Sequence, residues 1–266
     1  MTKQSRPFLG FTLVELLVVI AIIVLILAIL FPVLGKLRGS ARATVDLVNH
    51  RSIATAFSQY ATENSGRLPS PRTDQAVPGV RHCWVNASGA GLVNGVETEK
   101  SLENGVIWDY MNRNPSAYRS PLDNSGRVRS YSINAYVGNV SCPDDFQCGT
   151  MVPLPANQSD LSTSTLSKIP NPATTMCSVN EESPAGWNQQ GFIINWNIPF
   201  WRDIPAFWDG YRVNVSFMDG STRTLTIFGQ QFIAEATASG GNYTEPNEPA
   251  TWFAMRQYLL PGRLDY

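Results

Sequence analysis

From Leu16 to Leu34 the chain carries no polar or charged side chain. A helix needs about 20 apolar residues to cross the hydrocarbon core of a bilayer, and this run nearly supplies them. The feature limits the fold at once. The first helix belongs in lipid or in a bundle of similar helices, and the rest of the chain must build a core of its own. Just before the run stands Glu15, in Gly10-Phe11-Thr12-Leu13-Val14-Glu15. A carboxylate near the membrane core costs on the order of 2.5–3.5 kcal/mol on insertion scales, so its presence implies a task. A polar leader, Met1 to Gly10 with Lys3 and Arg6, comes first. Secretory signals are cut behind their apolar region. Here the small residue at a cut site, Gly10, lies ahead of it, so cleavage would leave the helix attached.

The run Gly10-Phe11-Thr12-Leu13-Val14-Glu15-Leu16-Leu17 resembles the prepilin leader shared by type IV pilins and type II secretion pseudopilins. The resemblance implies a peptidase cut after Gly10, methylation of the new amine on Phe11, and a role for Glu15 in assembly. In that family the glutamate answers the N-terminal ammonium of a neighbouring subunit. The physics agrees, because a carboxylate in an apolar bundle needs a cationic partner. The implied partners are identical or related subunits, a prepilin peptidase, an inner-membrane assembly platform, and membrane lipid before assembly. The implied location is the inner membrane, crossed once, with the C-terminal domain periplasmic or extracellular and the assembled filament periplasmic or at the cell surface.

Removing ten residues from 266 leaves one helix and one domain of ordinary size. The net charge of −1 becomes −3 without Lys3 and Arg6, and no Lys/Arg block appears. Nucleic-acid binding therefore has no electrostatic footprint. Charged residues are 15% of the chain, beside 20 Gly and 18 Pro, which favours a turn-rich domain containing strands. Lys36, Arg38 and Arg42 follow the apolar run, so orientation rests on the leader and not on the positive-inside rule.

The expected organisation is a leader over 1–10, a hydrophobic helix over 11–35, an amphipathic helix over 36–66 and a head domain over 67–266. The fold class is α+β and pilin-like, a long N-terminal helix packed on an antiparallel sheet with long loops. Pro32 and Gly35 are expected to bend or loosen the helix. Leu37, Ala41, Val45, Val48, Ala56 and Tyr60 form its expected apolar face, with His50 as a polar face residue, and Asn64-Ser65-Gly66 is the stop signal.

In the head, Gly105 to Tyr110 reads as a short helix, and Arg129 to Val137 alternates like a half-buried strand. Thr175 to Val179 and Phe192 to Trp196 read as strands, Tyr211 to Phe228 as a hairpin, and Trp252 to Tyr258 as a helix. A two-residue Asp219-Gly220 loop would set Val213, Val215 and Phe217 opposite threonines. A three-residue loop, Met218-Asp219-Gly220 with Gly220 left-handed, groups them with Leu225 and Ile227. The second keeps one face apolar and is preferred. Asn49-His50-Arg51-Ser52-Ile53, Tyr118-Arg119-Ser120-Pro121-Leu122-Asp123 with Arg129 to Tyr136, and Ser216-Phe217-Met218-Asp219-Gly220 resemble a large pilin-like family of bacterial surface proteins. That family's C-terminal motif has a histidine, nine residues, then Asp-Gly. Here Asp209 stands at the histidine position, Ser221 at a second one, and Ser120 where a cysteine is frequent.

Four cysteines, Cys83, Cys142, Cys148 and Cys177, allow three disulfide pairings in an exported domain. Cys142 with Cys148 closes the shortest loop, which leaves Cys83 with Cys177. Zinc is disfavoured, since no C-x-x-C pair exists. No metal or cofactor is expected. Asp123-Asn124 and Asp144-Asp145 lack the spacing of an EF-hand, and no catalytic constellation emerges around His50 and His82. The expected function is structural, a filament subunit and not an enzyme. The alternative is a membrane-anchored surface domain that stacks polysaccharide on exposed members of the group Trp187, Trp196, Trp201 and Trp208.

Overall fold

The computed structural model describes residues 12–73, 82–87, 91–93, 96–138, 163–182, 191–194, 199–238 and 249–260. Helix α1, Leu13–Glu63, runs for 51 residues with Pro32 inside it, so the expected loosening does not interrupt it. The chain forms two units, one up to Ala41 and one from Arg42 onward. In the first, α1 is exposed on every side, Leu13, Leu17, Ile20, Val24 and Phe31 included. A helix that is apolar all round suits lipid or like helices, not the surface of a water-soluble fold. It is the one helix among the described residues long and apolar enough to cross a membrane. At its other end the stop signal works as expected. The Gly66 N–H donates to the Ala61 carbonyl at 2.8 Å, the Asn64 amide to the Tyr60 carbonyl at 2.8 Å, and Ser65 and Gly66 take positive φ. This reversal satisfies carbonyls that the helix leaves open.

After the last part of α1, the second unit continues with a small hairpin, β1 (Leu92–Val93) and β2 (Val96–Glu97), and a short helix α2 (Glu99–Glu103). Its main sheet holds β3 (Tyr131–Ile133), β4 (Met176–Glu182), β6 (Val213–Phe217) and β7 (Thr222–Leu225) in the order β3-β4-β6-β7, all antiparallel. The short β5 (Ile204–Pro205) pairs with the end of β4. Helices α3 (Gln230–Ala238) and α4 (Pro249–Leu259) follow.

Two cores result. Ile53, Phe57 and Ala61 of α1 pack with Tyr131, Ile133, Val137, Trp84 and Tyr118. Val179, Val213, Val215, Phe217 and Leu225 pack with Trp201, Phe228, Phe232, Trp252 and Met255 from the loops, α3 and α4. Each buried aliphatic or aromatic side chain contributes about 1.5–3 kcal/mol. The sheet is thus covered on both sides, which explains why all five residues of β6 are buried. The same holds for β3, where the expected half-buried alternation gives way to burial of every residue.

The hairpin adopts the three-residue loop. Val213 opposes Leu225, Val215 opposes Arg223 and Ser216 opposes Thr222, while the Gly220 N–H closes onto the Phe217 carbonyl at 3.0 Å. Gly220 has φ +85. The apolar face is less complete than expected, because Arg223 occupies one position and lays its guanidinium 4.6 Å from the Phe217 ring centre.

Three readings need correction. The buried stripe of α1 is Asp46, His50, Ile53, Ala54, Ala56, Phe57, Tyr60 and Ala61, whereas Leu37, Val45 and Val48 are exposed. The apolar pattern misled because two buried positions are polar. Gly105 to Tyr110 is a series of turns, not a helix. Phe192 and Ile194 make isolated bridges to Asn134 and Trp201 in place of a continuous strand; Trp196 lies outside the described residues.

Candidate functional site

At the start of α1, Thr12 and Glu15 hold each other. The Thr12 N–H and hydroxyl donate to Glu15 Oε2 at 2.8 and 2.7 Å, and the Glu15 N–H donates to Thr12 Oγ1 at 3.2 Å. The Leu16 N–H then reaches the Thr12 carbonyl at 3.2 Å and opens the helix. This is a capping box, which satisfies backbone donors that a helix N-terminus otherwise leaves open. Sequence reasoning missed it, although Thr-x-x-Glu ahead of an apolar run is its signature. The carboxylate is turned toward the helix N-terminus. Gly10 and Phe11 themselves lie outside the described residues.

Further along α1, in the second unit, a polar cluster is sealed between helix and sheet. Asp46, His50, Ser178, Asn180, Asn214 and Ser216 are each no more than 3% exposed. Asp46 accepts three hydrogen bonds at 2.8 Å, from the Tyr131 hydroxyl on β3, the Asn180 amide on β4 and the Asn214 amide on β6. Hydrogen bonds to a charged acceptor are worth about 1.5–3 kcal/mol each, together comparable to the several kcal/mol needed to desolvate one carboxylate. Because Asn180 Nδ2 is committed to Asp46, its Oδ1 accepts from His50 Nε2 at 2.8 Å. Nδ1 lies 2.6 Å from Ser178 Oγ, which lies 2.6 Å from Ser216 Oγ. Burial lowers the His50 pKa, against the opposing pull of Asp46 and Asn180, and so favours neutral imidazole. Burial, then the charge of Asp46, pushes the Tyr131 phenol well up and keeps it a donor. Ser178, His50 and Asn180 thus stand in the order of nucleophile, base and orienting group. All three are buried, so the hydroxyl has no side open to a substrate. The cluster fastens helix to sheet.

Residues 6–31 match the prokaryotic N-terminal methylation motif. This prepilin cleavage and methylation segment contains Gly10, Phe11, the capping box and most of the apolar run. The match covers the start of the chain and leaves the head outside it. Compared with curated proteins and with solved structures, the chain matches none.

The remaining candidates are placed as follows. Cys83 and Cys177 are both buried thiols, so the bridge expected between them is not made. Cys177 sits at the irregularity in β4 between Met176 and Ser178, and burial lifts its pKa to about 12. Cys142 and Cys148 lie outside the described residues, as do Asp144, Asp145, Trp187 and Trp196. Asp123 is occupied by protein donors: the Ser125 N–H at 2.8 Å, the Ser130 hydroxyl at 2.6 Å and the Arg127 Nε at 3.1 Å. Burial acts to raise its pKa, but these donors outweigh it and hold the carboxyl below its usual value. Among the described residues no group of three His, Cys, Asp or Glu is placed to hold a metal. Trp201 is fully buried, and Trp208 is half-buried beneath the Arg127 guanidinium, 5.3 Å away. His82 is exposed, and Asp209 pairs with Arg212 at 2.8 Å.

Proposed function

We propose that this chain is a structural subunit of a type IV pilus-like or type II secretion filament, processed after Gly10, methylated on Phe11 and assembled through α1. The observation that carries the proposal is the methylation motif over residues 6–31, whose part from Leu13 onward lies on the apolar stretch of α1 that is exposed on all sides. Such a helix rests in lipid as a monomer and exchanges lipid for like helices when subunits assemble. Glu15 is aimed at the helix N-terminus by Thr12, where the carboxylate would meet the new ammonium of its own or a neighbouring chain. The head, crossing to the periplasmic or extracellular side, forms the filament surface. A prepilin peptidase and an inner-membrane assembly platform are the partners this scheme requires.

The test is the mass of the N-terminal peptide of protein taken from its native cell. A peptide that begins at Phe11 with one added methyl supports the proposal. A peptide that retains Met1 to Gly10 overturns it. Glu15→Val then separates assembly from processing: filaments are lost while the cut at Gly10 persists.

A further inference from the structure

The donors that hold Asp46 come from three strands. Tyr131 lies on β3, Asn180 on β4 and Asn214 on β6, each 2.8 Å from a carboxylate oxygen. Asp46 itself is completely buried, and its Oδ2 lies 4.0 Å from His50 Nε2, outside hydrogen-bond distance. The helix therefore cannot lay this face on a partial sheet without burying a carboxylate short of donors. The desolvation penalty is borne once, by Asp46, while its compensation is divided among three strands that are far apart in sequence. By contrast, the apolar stretch from Ile53 to Ala61 can pack on any greasy surface. We propose that Asp46 makes docking of α1 conditional on a finished sheet, so that helix 46–61 closes only when β3, β4 and β6 are all in register.

Three features support the device. Asn180 is bound at both ends of its amide, to Asp46 and to His50, so it cannot turn to cover for a lost neighbour. Asn214 is oriented from behind by the Thr224 hydroxyl, which donates to its Oδ1 at 2.7 Å. Asn49, one turn along the helix, donates to the Tyr131 hydroxyl oxygen at 3.2 Å and to the Arg119 carbonyl at 3.1 Å. Each strand's donor is thus fixed by its own second contact. A buried polar group used in this way sets register more than it adds stability.

Hydrogen exchange on the full-length protein in detergent micelles tests this. Tyr131→Phe and Asn214→Ala are each expected to speed exchange of the amides over residues 46–61 by about 10–100-fold, the loss of one bond to a charged acceptor. The double variant should add less than about threefold more, because one missing donor already releases the helix. In an Asp46→Leu background the same two changes should shift helix exchange by less than about threefold. Effects that multiply in the double variant, or that persist unchanged in the Asp46→Leu background, overturn the proposal. If Asp46→Leu does not fold, the double-variant comparison alone still decides.

Discussion

Two glycines, Gly138 and Gly220, separate the cost of a left-handed backbone from the cost of a clash. Both have strongly positive φ, +79 at Gly138 and +85 at Gly220. An L-residue in that region costs about 1–2 kcal/mol. At Gly220 an added Cβ meets nothing within 4 Å, so Gly220→Ala carries that term alone. At Gly138 the Cβ would fall 1.8 Å from the Pro69 carbonyl oxygen, a backbone atom that cannot swing aside. One segment must move by more than an ångström. The movement loses the Gly138 N–H bond to the Thr163 carbonyl at 2.7 Å and disturbs the neighbouring bridge between Val137 and Thr163. A buried group left unpaired adds about 1–3 kcal/mol. Gly138→Ala should therefore cost about 2–5 kcal/mol, against about 1–2 kcal/mol for Gly220→Ala. Urea unfolding of full-length protein in detergent micelles, followed by tryptophan fluorescence, gives both values. Equal losses at the two sites would show that the approach of Gly138 to Pro69 does not exist.

Phe57 is fully buried between α1 and the sheet, and Phe57→Ala should lower stability by about 3–5 kcal/mol in the same unfolding assay. The His50 pKa lies below its ordinary 6.5, so below that pH the unfolded chain binds a proton that the folded chain refuses. Stability should fall as pH drops from 6.5 toward the lowered folded value, by up to about 1.4 kcal/mol per pH unit, and His50→Gln should flatten this part of the profile. Asp123 acts in the same direction at lower pH: its carboxyl is held below 3.8, so its contribution is present above that value and is lost as pH falls through the folded pKa. Thr224→Val removes the donor to Asn214 Oδ1 and should cost about 1 kcal/mol, a loss expected to shrink in an Asp46→Ala background when measured as a double-mutant cycle.

What could be read in advance followed from periodicity and turn chemistry. The apolar run, the helix stop at Asn64-Ser65-Gly66 and the hairpin loop with left-handed Gly220 all express local rules, and each stands where expected. The polar cluster did not show itself, because Asp46, His50, Asn180 and Asn214 are residue types that favour solvent. Only the pairing of three distant strands gives them partners, and such pairing leaves no trace in a local pattern. Val45 and Val48 failed for the complementary reason: they complete an apolar stripe on paper, yet the sheet meets the adjacent face of α1. The capping box, by contrast, is a local signal, since Thr12 and Glu15 stand at its spacing just ahead of the apolar run.

The loop and the cluster are one piece of design, linked through β7. A two-residue loop would have shifted β7 by one position and placed Leu225 opposite Asn214. The three-residue loop instead sets Thr224 opposite Asn214 and Leu225 opposite Val213. Leu225 then joins the core under α3 and α4, while the Thr224 hydroxyl takes the Asn214 carbonyl oxygen. With Oδ1 occupied, the Asn214 amide can only present Nδ2 to the helix, and Nδ2 is the donor Asp46 needs. A single left-handed glycine therefore acts at a distance. It fixes the register of an edge strand, the register fixes the orientation of one amide, and that amide helps determine whether α1 can bury its carboxylate against the sheet.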